Sequence, residues 1–107
     1  MIVEMRTYTL QPGAAATYLK NYQEEGLAIQ RPILGHLVGY YSTEIGPLNQ
    51  VIHMWGYETF EDRLVRRQKL FADKGWLAYV EKVRALIVSQ ETKILIPAPF
   101  FKVPPPA

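Results

Sequence analysis

His53 and Trp55 stand two residues apart in Gly39–Tyr57, GYYSTEIGPLNQVIHMWGY, and with Tyr57 they form one alternating row. An imidazole whose charge changes near neutral pH, set among aromatic walls, is equipped to give a proton to a small ligand or take one from it. Glu4, Arg6 and Tyr8 form a second row. There a guanidinium can hold a carboxylate or enolate oxygen bidentately, a phenol can steady negative charge, and a carboxylate can serve as base. Each set also has a plainer use. His53 can be a satisfied histidine inside an assembly, and Glu4 with Arg6 can be a buried ion pair that sets the register between two copies. The chain offers no nucleophile that would decide between these readings.

His36 and His53 do not suggest a metal site. Hairpin pairing separates them by about 13 Å, at about 3.3 Å per residue, and no HExxH or Cys/His spacing occurs. One histidine is enough to ligate a haem, but nothing else in the chain favours one. No metal and no cofactor are therefore expected. Arg63 and Arg67 share a helix face at i and i+4, with Arg66 and Lys69 close by. They can hold an anion, although such a run is more simply a solvated face with one arginine lying across the core. Arg67 falls in line with Phe60, Leu64 and Phe71, which sets it apart. Tyr18 and Tyr22 read as core-edge aromatics, which would line any cleft between helix and sheet.

The elements that must position these residues follow from periodicity. Ile2–Leu10 alternates as a strand and stops at Gln11-Pro12-Gly13. Ala15, Tyr18, Leu19, Tyr22, Gly26 and Ile29 recur at helical spacing, and Pro32 is expected to close that helix at Arg31. Strands are predicted near residues 34–43 and 50–58, around the Gly46-Pro47 turn. Thr59 followed by Asp62 opens a second helix in the manner of a capping box. Asp73 caps a third, with the stripe Trp76, Tyr79, Val80, Val83 and Ile87. A last strand covers about 88–96, and the domain over residues 1–100 gives way to a proline-rich tail at 101–107. That tail should run extended, with Phe100 or Phe101 docked in a groove.

Strand, helix, two strands, helix pair and strand is the ferredoxin-like, split βαβ order: an α+β fold with an antiparallel sheet and helices on one face. Pairing the hairpin about its turn sets Tyr40 opposite His53, Val38 opposite Trp55 and His36 opposite Tyr57. Ile52, Met54 and Gly56 read as ordinary core, with Gly39 and Gly56 allowing helices to approach. The row Val51, His53, Trp55 and Tyr57, together with Glu4, Arg6, Tyr8 and Tyr40, is then expected on the helix-free face, awaiting a ligand or a second copy of the chain.

At 107 residues this is one domain. Its net charge of +2 is too small to imply nucleic acid, and it has no cysteine for disulfides or thiolate chemistry. No apolar run approaches the roughly 20 residues of a membrane span. Strand residues starting at Ile2 leave no room for a leader, so a cytoplasmic protein is expected.

EMRTYTLQPG, LVGYYSTEIGPLNQVIHMWGY, the following Arg63, Asp73 with Trp76, and the closing QETKILIPAPF occur in an order and spacing that resembles the NIPSNAP family, in its short bacterial form. The resemblance implies a dimeric α/β-barrel, in which two ferredoxin-like protomers close their helix-free faces on each other. It also implies a superfamily that contains cofactor-independent monooxygenases, isomerases, haem enzymes and members without known activity. Eukaryotic relatives are associated with mitochondria. The expected function is a homodimeric module for a small ligand or partner protein, with Glu4, Tyr40, Trp55 and Tyr57 as contacts. The alternative is a cofactor-independent enzyme on a small aromatic or enolisable compound, with His53 as acid/base and Arg6 or Tyr8 steadying charge.

Overall fold

The alternating β-rich residues of Ile2–Leu10 form β1, the strand on which the sheet is built. The computed structural model describes residues 1–106; Ala107, the last residue of the tail, lies outside the described residues. After β1 come α1 (Ala15–Asn21), a wide π turn (Tyr22–Gly26), α2 (Leu27–Leu34), β2 (His36–Ser42) and β3 (Gln50–Tyr57). Then follow α3 (Phe60–Phe71), α4 (Lys74–Val83) and β4 (Ile87–Leu95). The sheet order is β2-β3-β1-β4, antiparallel throughout, which is the ferredoxin-like α+β arrangement. Thr59 Oγ1 accepts from Asp62 N at 3.0 Å and Asp73 Oδ1 from Trp76 N at 2.9 Å, so both expected caps start α3 and α4.

Pro32 does not close the first helical segment. It lies inside α2, which continues to Leu34 and ends at Gly35, whose φ of 90° suits a glycine and whose N–H bonds the Arg31 carbonyl. Burial of Leu34 in the core supplies the reason to keep the last turn wound. On α3 the expected stripe is also displaced. Phe60, Leu64 and Phe71 are largely exposed, whereas Leu70 is buried and Arg63 and Arg67 are partly so.

The facing of the sheet is the reverse of the sequence expectation. Tyr40 does pair with His53, Tyr41 with Ile52 and Gly39 with Met54. However, Val51, His53, Trp55, Tyr57 and Glu4 lie beneath the helices, at 0–2 % exposure, together with the buried Tyr8. Trp55 and Tyr57 are thus sealed within the protomer and offer nothing to a second copy. An irregularity at Val38 also sets His36 opposite Gly56 and Leu37 opposite Trp55, in place of the symmetric pairs.

Two physical reasons account for the reversal. Glu4, Arg6, Tyr8 and the Trp55 indole find hydrogen-bond partners on the inner face, which offsets part of the cost of burying them. The glycines of the outer face accommodate side chains, not helices. A Cβ at Gly56 would come 2.8 Å from His36 Nδ1, and one at Gly39 2.5 Å from the Tyr41 ring. The outer face instead carries Val3, Val38, Met54 and Leu95. Phe101 and Val103 of the tail fold back beside them, and His36 Nε2 meets the Pro104 carbonyl at 2.8 Å. Phe100 stays exposed.

Glu4 holds the inner layer together. Arg63 donates to both of its carboxylate oxygens, from Nε at 3.1 Å and Nη2 at 2.7 Å. Arg6 Nη1 adds a bond at 3.1 Å and Thr92 Oγ1 one at 2.8 Å. One fully buried carboxylate therefore ties β1 to α3 and β4. Burial works to raise its pKa, but hydrogen bonds from Arg63 and Thr92 and the charge of Arg6 outweigh that and bring it to about 2. The folded pKa lies below the ordinary value of 4.5, so this contribution is fully present above about pH 4.5 and is lost as pH falls towards 2. Glu4→Gln should cost about 3 kcal/mol in urea unfolding at neutral pH, because it strands two guanidiniums. It should also flatten the acid limb of the stability profile. Wild-type stability at neutral pH would show that the cluster is dispensable.

Candidate functional site

Between the helices and the inner sheet face lies an aromatic cleft with two neighbouring parts that share some of their lining. The inner part is a cavity of about 50 Å³ lined by Tyr18, Tyr22, Tyr40, His53, Tyr79 and others. The outer part, about 150 Å³, is flanked by Arg6, Arg67, Leu70 and Phe71. Tyr8, Gln30, Trp76, Val80 and Gln90 border both.

Local sequence places each wall. Alternation on β1 and β3 sends Tyr8 and His53 inward, and their rings meet edge-on with centroids 4.9 Å apart. Tyr22 stands at the head of the π turn, a feature often found at functional sites. Its hydroxyl donates to Gln30 Oε1 at 2.6 Å, and its ring stacks on Tyr40, which in turn stacks on His53 at 4.7 Å. Gly26 ends that turn. A Cβ there would lie 2.8 Å from the Tyr79 ring, so its absence lets α4 bring Tyr79 to the cleft.

The electrostatics of His53 are well defined. Trp55 Nε1–H donates to its Nδ1 at 2.8 Å, so Nδ1 is the acceptor and the proton of the neutral ring sits on Nε2. Burial first, and the Arg6 charge second, push the His53 pKa down to about 3. His53 is thus a neutral N–H donor, and its Nε2 is buried with no protein partner among the described residues. Trp76 Nε1 shares that condition, and Tyr40 Oη and Tyr79 Oη make no hydrogen bond of good geometry, their nearest polar neighbour being the Tyr18 hydroxyl. Burial drives the Tyr40 and Tyr79 phenols far above their ordinary pKa, which leaves them protonated donors too. These four polar groups belong to residues that line one void, a place where water or a ligand oxygen would find donors.

The sequence candidates divide accordingly. Tyr8, Tyr40 and His53 meet at the inner cavity, and Arg6 stands at the outer one, its Nε donating to Tyr8 Oη at 3.0 Å. Trp55 lies behind His53 and sets its tautomer. Glu4 does not line the cleft, its carboxylate being engaged by Arg63, Arg6 and Thr92; Tyr57, whose hydroxyl is buried and unpartnered, does not line it either. Gln30, Trp76 and Tyr79 were not singled out as site residues. The helical stripe of Trp76 and Tyr79 read as core, and nothing local distinguishes a core tyrosine from one beside a void. Among the described residues no group of three or more His, Asp or Glu is placed to hold a metal ion. No described helix is long and apolar enough to cross a membrane.

The fold and cleft define a ferredoxin-like α+β protein with an intramolecular aromatic pocket. The chain belongs to the NIPSNAP family, whose model matches residues 3–102. A NIPSNAP-like domain protein of Burkholderia xenovorans is 49% identical, with a TM-score of 0.95 over 99% of this chain and 93% of that one. A NIPSNAP family protein of Agrobacterium tumefaciens is 52% identical, with a TM-score of 0.91 over 94% of this chain and 88% of that one. The NipSnap homolog of Dictyostelium discoideum is 35% identical over 94 residues, which are 88% of this chain and 41% of that protein. The chain thus spans about two fifths of the length of the curated relative. A putative antibiotic biosynthesis monooxygenase of Nitrosomonas europaea, at 9% identity and a TM-score of 0.67, shares the fold alone.

The tautomer has a direct readout. Ring 15N shifts should show His53 protonated at Nε2 and unchanged between about pH 5 and pH 8. The folded pKa lies below the ordinary value of 6.5, so the stabilising contribution of neutral His53 is complete above about pH 6.5 and declines as pH falls towards 3. A titration midpoint between pH 5 and pH 8 would contradict the assignment.

Proposed function

We propose that this chain is a small-ligand-binding domain whose site is the cleft between helices and sheet, and that it takes a planar, oxygen-bearing molecule. The observation that carries this reading is the set of four buried, unpartnered donors around one void. A ring fits the outer chamber, since a cavity of about 150 Å³ is enough to hold benzene. Its oxygen would then reach the inner chamber and accept from His53 Nε2–H and from the Tyr40 or Tyr79 hydroxyl.

The same donor set favours a second, enzymatic reading. Fixed N–H and O–H groups aimed at one oxygen in a water-poor cleft stabilise an enolate or phenolate as it forms. That would suit a cofactor-independent reaction on an enolisable compound, with His53 as an electrophilic donor, not a base, and Arg6 with Tyr8 steadying charge at the entrance. Glu4 is held ionised by its partners and has no free oxygen to act as base.

We assign the outer sheet face to a second copy of the chain. A groove of about 350 Å³ lined by Val3, Val38, Met54, Leu95 and Phe101 lies there, and Tyr41, Ile94 and Ile96 stand exposed around it. Apolar surface of this kind marks an interaction site. The family resemblance supplies the partner.

Two measurements test these assignments. Phenol should bind with a dissociation constant on the order of a millimolar, and His53→Phe, which keeps the stacked ring but removes the N–H, should weaken it at least about tenfold. Equal affinity in the variant would remove the cleft from consideration. In sedimentation, the wild type should be a dimer at micromolar concentration and Met54→Asp a monomer. A monomeric wild type would overturn the assignment of the outer face.

A further inference from the structure

Arg67 is a cation without a counter-ion. It is partly buried on the inward side of α3, and no ion pair or hydrogen bond joins it to any described side chain. Its guanidinium lies 5.3 Å from the centre of the Phe71 ring, and both residues border the outer chamber. Arg6 borders the same chamber and has committed Nε to Tyr8 and Nη1 to Glu4, which leaves Nη2 unassigned. The nearby charges do not balance. Arg6, Arg63 and Arg67 carry three positive charges, and the one carboxylate among them, Glu4, is already shared by Arg6 and Arg63. Of the other acids on α3, Asp62 is paired with Arg66, and Glu61 is exposed. Burial, and then the charge of Arg6, act against the charged form of Arg67. An arginine free to reach solvent would relieve both costs, yet Arg67 lines the chamber that Arg6 also lines.

We infer that the outer chamber is a carboxylate subsite, and that the ligand class is a planar hydroxy- or enol-carboxylate with its carboxylate on Arg67 and Arg6. This rests on the cleft reading and extends it. The two ends of the site are chemically distinct. The inner end presents neutral donors, His53 Nε2–H and the tyrosine hydroxyls, which suit a neutral or developing oxyanion. The outer end presents guanidiniums, whose planar forks match a carboxylate. The ring between them would lie against Trp76 and Tyr8, which border both parts. A small ring bearing oxygen at one end and carboxylate at the other spans both chambers. The volume leaves no room for an extended or polycyclic molecule.

The test compares 4-hydroxybenzoate with phenol by calorimetry on the full chain. Wild type should bind 4-hydroxybenzoate at least about tenfold more tightly than phenol. Arg67→Gln should remove most of that advantage, and Arg67→Lys, which keeps the charge but not the fork, should retain part of it. Phenol binding itself reports that each variant is folded. If wild type binds both probes equally, the carboxylate subsite is wrong while the cleft stands. The same holds if Arg67→Gln weakens both alike. If neither probe binds, the cleft and the subsite fall together.

Discussion

A single buried carboxylate governs the geometry of this molecule. Glu4 sits at the centre of the sheet with no solvent contact, and a charge in that position is tolerable only when fully compensated. Its compensation comes from three elements: Arg6 on its own strand, Arg63 on α3 and Thr92 on β4. Meeting that demand fixes where α3 lies across the sheet. It also orients Arg6, whose Nε reaches Tyr8 Oη. The ion pair therefore fixes the packing first and the cleft second, because Tyr8 and Arg6 line the chamber that Arg67, Leu70 and Phe71 of α3 also line.

The cleft follows from a different economy. Aromatic residues bury large apolar area while carrying one polar atom each, and that atom must be satisfied or left costly. Trp55 and Tyr22 satisfy theirs locally, on His53 and Gln30. Tyr40, Tyr79, Trp76 and His53 Nε2 do not. Those four belong to residues around one void, whose wall the π turn and Gly26 shape, while a fifth unpaired atom, Tyr57 Oη, lies away from it. A putative monooxygenase at 9% identity shares the fold, and a shared fold by itself assigns no site.

Much of this was legible in the residues. Alternation marked β1 at Ile2–Leu10, Thr59 and Asp73 marked the starts of α3 and α4, and the turn at Gly46-Pro47 set the pairing of Tyr40 with His53. These signals are local: dihedral preference, period and capping act within a few residues of the position they specify. The motifs also carried the family. Of the residues singled out for their chemistry, His53, Tyr8, Tyr40 and Arg6 all reach the cleft.

Which face those residues would occupy was not. Strand alternation says that His53 and Met54 point oppositely, but the two faces are related by symmetry until helices choose one. Hydrophobicity pointed to Ile52, Met54 and Gly56. The choice was made by interactions between residues distant in sequence: Arg63 with Glu4, Tyr18 with Tyr8, and Tyr22 with Tyr40. Each turns a polar or aromatic side chain into an acceptable interior. The Gly56 that read as room for a helix proved to be room for His36 of the neighbouring strand. The residues by themselves determined the elements, the pairing and the inventory of reactive groups, because those depend on neighbours along the chain. Only the tertiary structure decided that the inventory closes around a cleft within one protomer, because that depends on compensating a buried charge across three separate elements.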